Sequence, residues 1–243
     1  MNTIQKHLRC CKGDIAKYVL IPGDPGRARR IADRMETTRF TGENRGFFIC
    51  TGIYKKVEVS VCSTGIGGPS ASIVLEELIK LNAETFIRVG SAGGRQPDIP
   101  IGTPVIITAA YRGDGTSTYY LPAEFPAVAD WGITNALVHA ARQSKIDYRM
   151  GIGYTRDAFY ARDKHLDELL KDAGVVAAEQ EAATLFVVGS LRHAKVGAIA
   201  ATDSNIWLSK QPTTSQKDAL LRQGEAQSIS VALEAIKILA ERE

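Results

Sequence analysis

The run TFIRVGSAGG, Thr85 to Gly94, limits what this chain can fold into more than any other stretch. It is short, β-branched and apolar, and it ends in small residues and glycine, as a strand buried on both faces of an α/β sheet does. Arg88 stands inside it. A charge in such a strand is costly to bury without a partner, and the run contains no acid. Two partners are open, a bound anion or a carboxylate from elsewhere in the chain. Glycines after the strand let backbone N–H groups approach an anion, Ser91 adds a hydroxyl, and the guanidinium fork suits phosphate.

Two more glycine-rich exits precede it. In YVLIPGDPGRARRIADRM an apolar strand, Tyr18 to Ile21, runs through a Gly-Pro-Asp turn into a helix near Arg27, and a strand, glycine turn and helix N-terminus together form an anion site. In STGIGGPSASIVLEEL, Ser63 to Leu78, Pro69 and Ser70 open a helix whose apolar face is Ile73, Leu75, Leu78 and Ile79. That helix leads to the Arg88 strand as a βαβ crossover, which brings the two exits to one edge of the sheet, where ligands of open α/β sheets bind. Neither exit is a Walker loop or a dinucleotide fingerprint.

Around these lie strands at Gly46 to Ile53, Lys56 to Ser63, Gly102 to Ala110, Arg149 to Thr155 and Lys195 to Ala201. Helices are expected at Thr134 to Ser144 and over Ser215 to Arg242, and a third opens with Glu179 and Glu181 in AAEQEAATLFVVGSL. The polar stretch with Asp114, Gly115 and Tyr119 reads as a surface loop. The expected fold is therefore a single α/β domain over residues 1–243, a central mixed, twisted β-sheet flanked by helices. DAFY, Asp157 to Tyr160, puts two aromatics on a loop after a strand, as a stacking platform or as core. Asp203 follows the last strand, where active-site residues of α/β proteins collect but where Asp also caps helices. His7 and Arg45, taken alone, read as exposed groups.

Composition narrows the partners. The 30 basic and 27 acidic residues leave a net charge of +3, too balanced for a nucleic-acid footprint. No apolar stretch is long enough to span a bilayer and no secretory leader is evident, so neither membrane nor export is expected. Cys10, Cys11, Cys50 and Cys62 lack metal-ligand spacing and fit reduced thiols in a cytoplasmic protein.

GDPGR at Gly23 to Arg27, STGIGGPSASIVLEEL, IRVGSAG, DAFY and AEQEAATL stand in the order found in the nucleoside phosphorylase family, which the chain resembles over nearly its whole length. The branch is that of the hexameric purine nucleoside, methylthioadenosine and uridine phosphorylases. The resemblance implies phosphorolysis: nucleoside and phosphate give a free base and a pentose 1-phosphate, with phosphate as co-substrate and no metal or other cofactor. It implies that Gly23, Arg27, Arg88 and Ser91 hold phosphate, joined by Arg45 from a neighbouring subunit, and that His7 crosses the same interface to the ribose 5′ side. Glu181 would take the ribose hydroxyls, with Glu179 and Gln180 lining the pocket and Phe159 against base or sugar. Asp203 resembles the acid that protonates a purine leaving group, a role that needs a proton held in a dry pocket. The implied assembly is a homo-oligomer, a hexamer built as a trimer of dimers.

Three positions depart from the family pattern. Gln180 stands where many members have Met, and Asp163 and His165 stand where uridine phosphorylases carry a Gln and an Arg that read uracil. The expectation is a purine nucleoside phosphorylase, with uridine phosphorylase as the alternative. Further off lie a nucleosidase, which would have no use for three phosphate-directed arginines, and a non-catalytic nucleoside binder, which would have none for Asp203.

Overall fold

The computed structural model describes residues 4–242. Its sheet contains β1 (Tyr18–Leu20), β2 (Thr37–Asn44), β3 (Phe47–Tyr54), β4 (Val57–Cys62), β5 (Thr85–Gly94), β6 (Pro104–Gly113), β7 (Ala127–Val128), β8 (Arg149–Arg156), β9 (Ala177–Glu179) and β10 (Lys195–Asn205). The helices are α1 (Pro25–Ala32), α2 (Gly68–Lys80), α3 (Thr116–Tyr120), α4 (Trp131–Gln143), α5 (Lys164–Asp172), α6 (Ala182–Leu191) and α7 (Thr214–Ala240). The sheet is mixed, in the order β10-β6-β8-β9-β5-β1-β4-β3-β2. β4 and β5 both run parallel to β1, which lies between them, so α2 is the expected crossover.

β10 also pairs with β5, in parallel from Lys195 opposite Thr85 to Asn205 opposite Gly94. This extra pairing closes β5, β10, β6, β8 and β9 into a ring. Enclosure explains why β5 reads as a continuous apolar run, since both of its faces are covered. Successive residues alternate between two cores: Val19 and Phe86 pack with α2 and α6, and Leu20 and Ile87 with α1, α4 and α7. Burying this many aliphatic side chains, at about 1.5–3 kcal/mol each, is what holds the ring closed.

Local signals set the helix ends. Thr213 and Gln216 form a capping box at the start of α7, and Asp130 caps α4. α2 turns a slightly different face to the core than expected: Val74 and Leu75 are buried and Ile73 is 37% exposed. In the 114–119 stretch Gly115 and Tyr119 are exposed as expected, but Asp114 is not and the segment is helical from Thr116. Asp114 is buried, accepting hydrogen bonds from the Ser117 N–H and hydroxyl (2.7 and 2.9 Å) and from Thr184 Oγ1 (2.6 Å), so its own side-chain partners draw the polar segment inward to form α3. The helix expected from Glu179 begins at Ala182 instead, because Glu179 ends the short strand β9 and Glu181 is the N-cap.

Candidate active site

The candidate site lies where the middle of β5, with Arg88, meets the carboxyl end of the antiparallel β9, with Glu179. Arg88 is 4% exposed, and its partner is not an anion alone: its Nε donates to Glu179 Oε2 at 3.1 Å and its Nη2 donates to Glu181 Oε2. The expected anion nevertheless has a place. Arg88 Nη1 is buried and has no hydrogen-bond partner among the described residues. It lies beside Gly23, where an added Cβ would come within 3.9 Å of it and 3.1 Å from the Gly65 carbonyl oxygen. The Gly65 N–H donates to the Gly23 carbonyl at 3.0 Å, so the two glycine-rich exits do abut. Leaving a buried charged donor unmatched costs about 1–3 kcal/mol or more, which an incoming anion relieves.

Glu179 stands behind Arg88 rather than lining an open pocket. It accepts from Arg88, from the N–H groups of Glu181 and Ala182, and from Thr155 Oγ1 at 2.6 Å. Burial raises its carboxyl above the ordinary range, opposed by Arg88 and partly reinforced by Glu181. Glu181 Oε1 accepts from the Gly67 N–H at 2.6 Å, which a φ of +90° makes available at the start of α2. Burial lowers the tendency of Arg88 to hold its proton, but the two carboxylates outweigh it and raise its pKa.

The α1 N-terminus is occupied by its own chain. Asp24 accepts from the Gly26 and Arg27 N–H groups at 2.9 and 2.8 Å, so those donors do not wait for an anion as expected. Arg27 is buried and anchored by Nε to Glu225 of α7 (2.9 Å) and by Nη1 to the Val89 carbonyl (3.1 Å). Glu225 also takes Arg30 Nε at 2.5 Å, and these contacts hold its carboxyl below the usual range despite burial. Sequence reasoning missed Glu225; its place on an amphipathic helix far along the chain gives no local signal.

Ser91 is half-buried opposite Ala201 of β10, and its hydroxyl has no partner among the described residues. Asp203 stands at a bulge in β10 between Thr202 and Ser204. It is half-buried, not enclosed in a dry pocket, and accepts from Ser204 Oγ at 2.7 Å. Phe159 is 59% exposed and meets Tyr160 edge to face at 5.0 Å, so the DAFY aromatics are an exposed platform and not core. Gln180 Nε2 donates to the Asp157 carbonyl at 2.8 Å and ties that loop to β9. Asp163 caps α5 through the Leu166 N–H at 3.1 Å, and His165 is exposed.

His7 and Arg45 are not brought to this cluster within the chain. His7 Nδ1 is paired with Glu77 of α2 at 2.7 Å, and its Nε2 has no hydrogen-bond partner among the described residues. Arg45 is exposed at the β2–β3 turn with φ +53°, and it makes no hydrogen bond or ion pair among the described residues. Cys10, Cys50 and Cys62 are buried and all four thiols are free. No helix among the described residues is long and apolar enough to cross a membrane.

A buried arginine braced by two glutamates and flanked by two glycine exits is a specific arrangement, and comparison places it. The sequence profile of the phosphorylase superfamily matches residues 17–237. The chain belongs to this family. Within it, the chain is similar to the uridine phosphorylase of Thermococcus kodakarensis, 40% identical over 98% of this chain and 87% of that one. It is also similar to the guanosine phosphorylase of Halorubrum lacusprofundi, 36% identical over 97% and 99% of the two chains. The crystal structure of uridine phosphorylase from Vibrio fischeri superposes with a TM-score of 0.90 at 30% identity, covering 97% of each chain. The family is one of pentosyltransferases, and a nucleoside phosphorylase is what the fold and motifs describe. The expected preference for purines is not what these relatives favour, since the uridine enzymes predominate among them.

Proposed function

We propose that the chain cleaves uridine by phosphorolysis. The observation that carries the reading is the buried, unpartnered Nη1 of Arg88 beside Gly23, a cationic donor held in place for an oxyanion. Phosphate seated there also meets the Ser91 hydroxyl and the anchored Arg27, with Arg45 arriving from a neighbouring subunit. Glu181 accepts from the ribose hydroxyls, and its bond to Arg88 links the sugar to the phosphate. His7 of the neighbour meets the 5′ side and Phe159 covers the base.

One phosphate oxygen forms a bond to the anomeric carbon as the glycosidic C–N bond breaks, and the bonding pair leaves with the base. The sugar passes through an oxocarbenium-like state that the phosphate oxygens stabilise, and holding the two reactants at one site supplies much of the rate. Uracil can leave as an anion whose charge spreads onto its carbonyl oxygens.

A second reading, a 6-oxopurine nucleoside, draws support from Asp203 at the β10 bulge, the residue that resembles a purine-protonating acid. Uracil and guanine share a carbonyl next to a ring N–H, which makes the two substrates chemically close. Release of base from uridine, guanosine, adenosine and 5′-methylthioadenosine, each with and without phosphate, tests both readings. Phosphate-dependent release from uridine is expected to be fastest. Fast release without phosphate would mean a nucleosidase, and no release at all a binder. Because this reading draws His7 and Arg45 from a neighbouring subunit, activity is expected to fall on dilution as a dimer or larger assembly separates.

A further inference from the structure

Arg95 follows directly on β5 and is as buried as Arg88, 4% exposed, yet nothing comparable braces it. Its Nε is buried without a hydrogen-bond partner among the described residues. Among the described residues its side chain makes one hydrogen bond, a long one of 3.4 Å from Nη1 to the carbonyl of its neighbour Gly94, and the carboxylate of Asp167 of α5 stands 3.9 Å from Nε. Asp167 is shared with Arg162 at 3.1 Å, and Arg156 and Tyr154 also face the guanidinium.

The place of Arg95 matters as much as its lack of partners. A Cβ on Gly93 would lie 3.0 Å from Arg95 Nη1 and 3.1 Å from Ser204 Oγ, so the guanidinium and the serine hydroxyl meet over the bare face of this glycine. Ser204 is bonded to Asp203, so this junction adjoins the residue that the proposed function sets at the base, away from Arg88 at the phosphate. Asp163 caps a helix and His165 is exposed, so neither is a buried donor for a base.

We propose that Arg95 reads the leaving base, donating from its guanidinium to a ring carbonyl oxygen of uracil seated against Gly93 and Ser204. This rests on the phosphorolysis reading above. As the C–N bond breaks, negative charge grows on the uracil carbonyls, and a buried cation positioned there stabilises the leaving group without transferring a proton. Asp167 acts through Arg95 as a positioning residue.

Uracil release from uridine by the wild-type protein in phosphate comes first and tests the reading alone; its absence would overturn that reading. Arg95→Met is then compared on uridine and on 5-fluorouridine, whose base leaves more readily and needs less help. The expected result is a loss of kcat/KM of about 10²-fold on uridine, a clearly smaller loss on 5-fluorouridine, and an unchanged KM for phosphate. Equal losses on the two substrates, or a loss carried by the KM for phosphate, would overturn the assignment. Arg95→Lys keeps the charge facing Asp167 and guards against misfolding of the Met variant; it is expected to show the same selective pattern to a lesser extent.

Discussion

In the proposed reading Arg88 and Arg95 take the two ends of one site; they are equally buried, and their surroundings are opposite. Arg88 is held by Glu179 and Glu181 with its Nη1 group left over, whereas the Arg95 side chain keeps a 3.9 Å carboxylate and one long hydrogen bond. The phosphate end is thus rigid before ligand arrives, as suits a dianion whose position sets the attack on the sugar. The base end is under-satisfied, and its donors gain acceptors only when a base is present. Ligand binding should therefore change the phosphate end little and order the base end more.

The largest effect should come from breaking the rigid end. Arg88→Met removes the donor beside Gly23 and leaves Glu179 and Glu181 buried without their cation. Phosphorolysis is expected to fall by about 10³-fold. The denaturant midpoint should drop as well, by the equivalent of about 3–5 kcal/mol, the usual consequence of stripping one partner from a buried ion pair. A variant that kept activity within an order of magnitude would remove Arg88 from the phosphate site.

A smaller effect sharpens the contrast at the base end. Asp203→Asn should leave uridine turnover nearly unchanged, because an anionic uracil requires no proton donor. Guanosine cleavage should fall by about 10²-fold, because a purine leaves best when protonated. Parallel kcat/KM values on the two nucleosides decide it, and equal losses on both would mean that Asp203 serves structure or sugar binding.

The same division governs what the sequence reveals. The phosphate end was legible through its glycines and Ser91, because a close backbone approach demands particular residues at consecutive positions. Arg88 stands out for another reason, as a charge in an apolar run without an acid. Its partners could not be deduced as partners: Glu179 and Glu181 stand 91 and 93 positions away, and Glu225 is 198 from Arg27. β2 was missed because its TTRFTGEN is mostly exposed and lacks apolar alternation. Asp114 was read as loop because polar residues usually are, and only the fold shows that Ser117 and Thr184 satisfy it. Arg95 follows a recognised motif without belonging to it, so its isolation is visible only in three dimensions.

The smallest effect concerns Glu225, which supports the phosphate end from behind. Glu225→Gln loosens Arg27 without removing it, so the KM for phosphate should rise about tenfold while the KM for uridine changes little. Stability carries a second signature. The carboxyl of Glu225 is held below its ordinary value by Arg30 and Arg27, so the folded state favours the ionised form. Its contribution is complete above the unfolded carboxyl range and is lost as pH falls through the depressed folded value. Melting temperatures measured from pH 7 down to pH 3 should decline for both proteins, and less steeply for Glu225→Gln. Superimposable acid limbs would show that the Arg27–Glu225–Arg30 cluster contributes no net stability, leaving it the single task of aiming Arg27 at the phosphate.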